Sequence, residues 1–340
     1  MRPLFPVSLG NLVLLAGVLL LVGLPWLLGL AGQDYLLSLA TRALIYGLAA
    51  ASLNLILGYG GMVSLGHAAF MGIGAFTVAI LAHHSYEATP VFSFLPSFQG
   101  TEQALIVWPL AALTAAFFAL ITGAISLRTR GMHFIMITLA FAQMLYFLFT
   151  SLDTYGGSDG MSLYGRNTLP GIDLGSDVGF YYCCLVLVVV FLLFMQRLVS
   201  SRFGRVLMGS RENEIRVQVL GLAPFGYRLT SYCIAGAAAG VAGALLANQG
   251  EFVSPGMLHW TKSGEILVMV ILGGMARLTG PLIGAFVLLF LEEYLAMLTE
   301  HWMILLGPVL ILVVLFARGG IHSLLFDRFS STRRHDADGD

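Results

Sequence analysis

The chain has 340 residues, 58% hydrophobic and only 10% charged, against about 25% charged in an ordinary soluble domain, which excludes a water-soluble fold. Its net charge of -1 includes sixteen arginines but a single lysine, Lys262, leaving almost no material for a nucleic-acid surface or lysine-based chemistry. Cys183, Cys184 and Cys233 sit in apolar runs without metal-ligand or disulfide spacing and read as small buried hydrophobes.

Each membrane crossing needs about 20 mostly apolar residues. Apolar stretches between charged or Gly/Pro-rich breaks give candidate spans at 8–31, 35–57, 62–82, 104–127, 132–150, 179–199, 229–248, 264–276, 280–297 and 303–317. The first follows Met1-Arg2-Pro3 with no cleavage site that stands out, so it reads as a span rather than a removed signal. The stretch 264–276 is too short to cross about 30 Å of hydrocarbon as a straight helix, and is expected to be broken or continuous with the next. Placing the N-terminus inside and alternating sides puts Arg2, Arg128, Arg130, Arg197, Arg202, Arg205, Arg211, Arg216, Arg228, Arg277, Arg318, Arg328, Arg333 and Arg334 on the cytoplasmic side. Only Arg166 and Lys262 fall outside. The expected fold is all-α integral membrane, with about ten transmembrane helices, broken or re-entrant segments, and both termini cytoplasmic. Residues 1–7 form a cytoplasmic N-terminus, 8–318 the transmembrane domain, and 319–340 a polar cytoplasmic tail expected to be disordered.

Away from the span ends, three charges fall inside spans, Arg42 and the pair Glu292-Glu293, at comparable depth. Because buried membrane charges usually find partners, Arg42 is expected to pair with one of the glutamates. Gly58 to Phe76 is crowded with small residues, which permit either close helix packing or a broken helix beside protein or a watery cavity. Gly60 and Gly61 mark that break, and Ser64, Gly66 and His67 lie just beyond it as candidate pathway residues. A similar string with Gly273 and Gly274 leads to Ile283-Gly284-Ala285-Phe286, so both turns are expected to flank one pathway.

Two connections exceed a simple turn. The outer one, 151–178, carries Tyr155-Gly156-Gly157-Ser158-Asp159-Gly160, suited to tight turns and backbone capping. The inner one, 200–228, carries Arg211 to Leu222, in which Ile215, Val219 and Leu222 recur at helical spacing, acids sit near the start and Gly221 can end the helix. A short amphipathic helix is expected there, suited to insertion into a groove of a soluble partner.

Gly256 to Ser263 resembles a phosphate loop, but Thr261 replaces its second glycine and no strand precedes it. With Lys262 the single lysine, no other Walker-type loop is available, and any ATP used must be hydrolysed by another polypeptide. No catalytic constellation stands out; Ser64 with His67 lacks an orienting acid.

Taken together, these motifs resemble the second-type permease subunit of branched-chain amino acid ABC importers, in the hydrophobic amino acid uptake group. The resemblance rests on Ser64 to Phe70, Gly131 to Phe134 with Thr138 to Phe141, Gly157 to Gly160, Glu212 to Arg216 with Gly221-Leu222, Phe252 to Pro255, and Val270 to Ala285. It implies a homologous permease subunit, two cytoplasmic ATPase subunits holding ATP and Mg, and a periplasmic solute-binding protein, in a bacterial cell inner membrane. No cofactor is expected on this chain itself. The helix carrying Glu214, Ile215, Arg216, Gly221 and Leu222 looks like the coupling helix, with Ile215-Arg216 replacing the family's usual alanine pair. Asp159 and Gly160 would face the binding protein. The resemblance leaves open urea, short amides or aromatic acids as solutes; an ion-coupled secondary transporter is the rival reading.

Overall fold

The computed structural model describes residues 9–30, 32–90, 99–299, 301, 304–308, 311 and 320–321. Its α-helices in chain order are α1 (Leu9–Leu30), α2 (Asp34–Asn54), α3 (His67–Tyr86), α4 (Ala104–Ser126), α5 (Met132–Thr150), α6 (Asp177–Ser200), α7 (Arg202–Glu212), α8 (Glu214–Val219), α9 (Pro224–Gly250), α10 (Trp260–Gly273) and α11 (Gly280–Leu298). Two short strands, β1 (Met161–Ser162) and β2 (Phe252–Val253), pair antiparallel. Seven of the described stretches are long and apolar enough to cross a membrane: α2 extended to Tyr59, α3, α4, α5, α6, α9 and α11. The chain is an all-α membrane protein. The expected span at 303–317, residues 1–7 and the tail from 319 lie outside the described residues, except at 304–308, 311 and 320–321.

Local chemistry sets the helix ends. The Ser176 hydroxyl accepts from the Gly179 N–H at 3.2 Å and starts α6, satisfying one of the donors a helix N-terminus leaves free. Ser201 caps α7 the same way, and Pro224 occupies the first turn of α9, where its missing N–H costs nothing.

Two expected spans are interrupted. The one predicted over 62–82 does not begin until His67: α2 ends in a π-turn at Leu55–Tyr59, and the following residues up to Gly66 leave helical conformation. The one predicted over 264–276 is α10, whose 14 residues reach only about 21 Å. Preceding α10, a 3-10 turn at Pro255–Leu258 packs against α3, so close that a side chain on Gly72 would strike Leu258. The interruptions meet where the Ala68 N–H in the first turn of α3 donates to Ser263 Oγ in the first turn of α10, at 2.9 Å. From there α3 runs to the end holding β1 and β2 (the β end), while α10 runs to the end holding α7 and α8 (the α8 end).

The core is built on glycine and alanine. Bilayers supply no hydrophobic force between helices, so close backbone approach replaces it. A Cβ on Gly243 of α9 would fall on the Met71 carbonyl of α3, and one on Gly74 would fall on the Gly240 carbonyl. On its other face, Gly236 and Gly240 receive Ala119 and Ala115 of α4. Gly243→Ala is therefore expected to destabilise by at least the ~1–3 kcal/mol typical of overpacking, whereas Gly226, with open space around it, should tolerate Ala within about 0.5 kcal/mol. Thermal unfolding of the two variants in detergent checks this; equal melting would contradict the packing.

Candidate functional site

At the α8 end, Asn213 separates two helices. Its backbone is extended (φ -155°) and its side-chain oxygen accepts from the Arg216 N–H at 3.0 Å. The amphipathic helix expected within Arg211 to Leu222 is consequently only Glu214–Val219, and Arg211 and Glu212 belong to α7. Gly221, at φ +81°, closes the far end in a conformation that L side chains rarely adopt. The solvent-facing apolar residues are Ile215 (70% exposed), Val219 (81%) and Leu220 (72%); Leu222 is half-buried and Val217 buried.

Glu214 anchors this short helix. Arg228 of α9 donates to its Oε2 at 2.8 Å and Arg130, from the α4–α5 turn, to its Oε1 at 3.0 Å. The second Arg228 nitrogen donates to the Ser210 carbonyl at 2.9 Å, tying α7 into the same joint. Arg130 is 70% exposed, and such contacts are worth little in water; the Arg228 contact, with both side chains about 85% covered, carries the anchoring. Beside this joint, Arg211 of α7 donates to the Gly58 carbonyl in the π-turn, and a side chain on Gly61 would strike Arg211. A cavity of about 200 Å³ at this junction is lined by Gly60, Gly61, Arg130, Arg211, Glu214 and Arg228, among others. The expected coupling residue Glu214 and break residues Gly60 and Gly61 are thus neighbours through Arg211 and Arg228.

The turns expected to flank one pathway touch each other. Asn54, 1% exposed, donates to the Arg277 carbonyl at 2.8 Å and accepts from the Ala276 N–H at 2.9 Å. Gly273 sits so close to Gly280 that its role is the tight α10–α11 hairpin, and Gly274 lies in the turn that follows α10.

Ser64 and His67 are fully buried. Ser52 Oγ lies 2.7 Å from both the Ala49 carbonyl and His67 Nε2, while His67 Nδ1 is buried without a partner among the described residues. Leu65 N–H donates to Thr138 Oγ1 at 3.3 Å. The void beside Gly66 measures about 10 Å³, too small for any solute. In this conformation these candidate pathway residues close the protein rather than line a passage.

The pairing expected for Arg42 is not made. Among the described residues Arg42 has no carboxylate within 4.0 Å; its guanidinium lies 5.8 Å from the centre of the Tyr46 ring. Tyr35 donates to Glu293 at 2.6 Å, and Glu292 is half-buried, within electrostatic range of Glu265, Arg42, Lys262 and Glu293. At the β end Asp159 is exposed, while Gly160, at φ +85°, lies against β2 where a side chain would fall on the Val253 carbonyl. Sequence reasoning missed Asn54 and Ser263, whose partners are distant in sequence, and Ser52, which meets His67 across the break. It also missed Asn213 as a cap, although Asn just before an acidic first turn is a recognisable start signal.

Interrupted crossings packed around buried polar groups, with a short helix tied to one of the breaks, define a multi-pass membrane protein with the build of a transport permease. The comparisons are specific. The family described as branched-chain amino acid transport system / permease component matches residues 35–314. The high-affinity branched-chain amino acid transport system permease proteins LivM of Salmonella typhimurium and Escherichia coli are each 29% identical to the chain over 335 residues, covering 92% of it and 74% of each relative. A probable branched-chain amino acid transport permease protein LivM of Methanocaldococcus jannaschii is 24% identical over 71% of the chain and 75% of its own length. No solved structure matches the chain at comparable significance. The chain belongs to the permease-component family of branched-chain amino acid transport systems.

Replacing Asn54 by Ala removes one partner each from the Ala276 N–H and the Arg277 carbonyl, a loss of about 1–3 kcal/mol for buried groups. Hydrogen exchange across 274–279 should accelerate in Asn54→Ala; unchanged protection there would contradict the clamp.

Proposed function

We infer that this chain is a membrane-spanning subunit of an ATP-binding-cassette importer in the bacterial inner membrane, moving branched-chain or related small amino acids into the cytoplasm by alternating access. The observation that carries this reading is the bond from Arg211 to the Gly58 carbonyl, which ties the solvent-exposed α7–α8 segment to an interrupted crossing. Movement of that segment reaches the break without an intervening flexible loop.

In this reading α8 is the coupling helix. Ile215, Val219 and Leu220 seat in a groove of a cytoplasmic ATPase subunit, Glu214 and Arg228 fix the helix to the membrane domain, and Gly221 terminates it. The partners are a homologous permease subunit, two ATPase subunits that hold ATP and Mg, and a periplasmic solute-binding protein that meets the β end near Asp159. No cofactor is assigned to this chain. All described arginines other than Arg42 and Arg166 lie in or beside connections at the α8 end, which supports a cytoplasmic position for that end. Ten crossings with both termini cytoplasmic complete the reading. ATP-driven closure of the ATPases shifts the permease between states only to the extent that α8 is bound differently in the two.

Reconstituted with these partners in proteoliposomes, the chain should import leucine or a related amino acid in an ATP-dependent manner. Glu214→Gln should lower uptake about tenfold, equivalent to about 1.4 kcal/mol on the rate, while ATP hydrolysis continues. Uptake that persists without the ATPase subunits, driven by an ion gradient, would overturn the importer reading.

A further inference from the structure

A cavity of about 490 Å³ opens between α2, α9, the turn after β2 and the first turn of α10. Its size falls within the ~300–1,000 Å³ of small-molecule sites. The wall divides into two kinds of surface: Met71, Leu246 and Met257 are apolar, whereas Arg42, Lys262 and Gln249 bring cations and an amide.

Each polar group retains unused capacity. Arg42 has no carboxylate within 4.0 Å among the described residues and rests over Tyr46, with its planar fork of donors available for a carboxylate. Lys262 directs its ammonium to both oxygens of Glu265, at 2.9 and 2.8 Å, and an ammonium has three donors, so one remains. Gln249 donates through Nε2 to the Ser38 carbonyl at 2.7 Å, which identifies the amide nitrogen, and its Oε1 is buried without a hydrogen-bond partner. A guanidinium at this depth in a membrane helix is costly against lipid and faces the protein interior or a watery path instead. Glu265 already neutralises Lys262, and Glu292 of α11 lies within electrostatic range of both cations; neither acid is among the lining residues.

Two cationic donors, one unsatisfied acceptor and an apolar wall are the complement of a zwitterion with an aliphatic side chain. We propose that this cavity is a binding site for α-amino acids on the β-end side of the closure. Arg42 and Lys262 take the carboxylate, Gln249 Oε1 accepts from the ammonium group as its side chain turns toward the ligand, and Met71, Leu246 and Met257 cover the aliphatic chain. The site rests on the importer reading and sharpens it: the permease itself recognises the backbone of its solute, above the packed level of Ser64 and His67.

The test uses the full-length chain in lipid nanodiscs, with Cys183, Cys184 and Cys233 replaced by Ala and Ser254, a lining residue, replaced by Cys as a reporter. L-leucine at about 50 mM, enough to fill a site of millimolar Kd, should slow maleimide labelling of the reporter several-fold. Leucinamide, which lacks the carboxylate, should not. Arg42→Gln should abolish the protection and Arg42→Lys should restore part of it. Labelling unaffected by leucine in the otherwise native cavity, or equal protection by leucinamide, overturns the site, and neither result depends on the Arg42 variants folding. The import measurement separates the two claims: import with an unprotected reporter rejects the site alone, and protection without import rejects the importer reading alone.

Discussion

Inside a bilayer an unpaired backbone N–H or C=O costs several kcal/mol, so a chain that leaves helical conformation at membrane depth must find every partner within the protein. Two crossings of this permease meet much of that demand with named partners. In the first, the N–H groups of Gly60, Gly61 and Met62 fold back onto the carbonyls of Leu55, Leu57 and Ile56, and those of Leu65, Gly66 and Ala68 are taken by Thr138, Ser64 and Ser263 hydroxyls. In the second, Ser263 accepts from α3 while Asn54 holds the turn beyond α10. The same few hydroxyl and amide side chains that make the breaks affordable also bind them to each other.

That economy links the membrane interior to the α8 end. Asn54 sits just before the π-turn whose Gly58 carbonyl receives Arg211, and α7, carrying Arg211, is joined through Ser210 and Arg228 to Glu214 at the start of α8. Short, charge-assisted contacts of this kind have few intermediate geometries. In the proposed reading these contacts are the route by which a displacement of α8 would reach the break. The glycine faces of α3, α9 and α4 are closely packed beside these contacts.

Much of this was legible in the sequence, and the remainder has a physical reason for being hidden. Hydropathy located most crossings to within a few residues, and the shortness of 264–276 exposed the second interruption. The glycine-rich stretch from Gly58 admitted two readings, and both hold at different residues: Gly60 and Gly61 attend the break, while Gly72 and Gly74 serve close packing. The burial of His67, however, depends on Ser52 and on α10, elements that no local pattern joins to it. The expected pairing of Arg42 with the α11 glutamates failed because Tyr35 takes Glu293 and Arg42 settles over Tyr46, one turn along its own helix. Gln249 and Lys262 looked ordinary because their significance is a shared cavity.

α3 and α10 begin beside each other within the membrane, so that two interrupted crossings form one closure. A cysteine pair at Ala68 and Ser263, in a background lacking the native cysteines, tests it most directly in native-like membranes. The account predicts rapid cross-linking by a short bifunctional thiol reagent, with little between positions 68 and 250. Absence of the 68–263 cross-link in folded protein, or equal yield from the control pair, would contradict it.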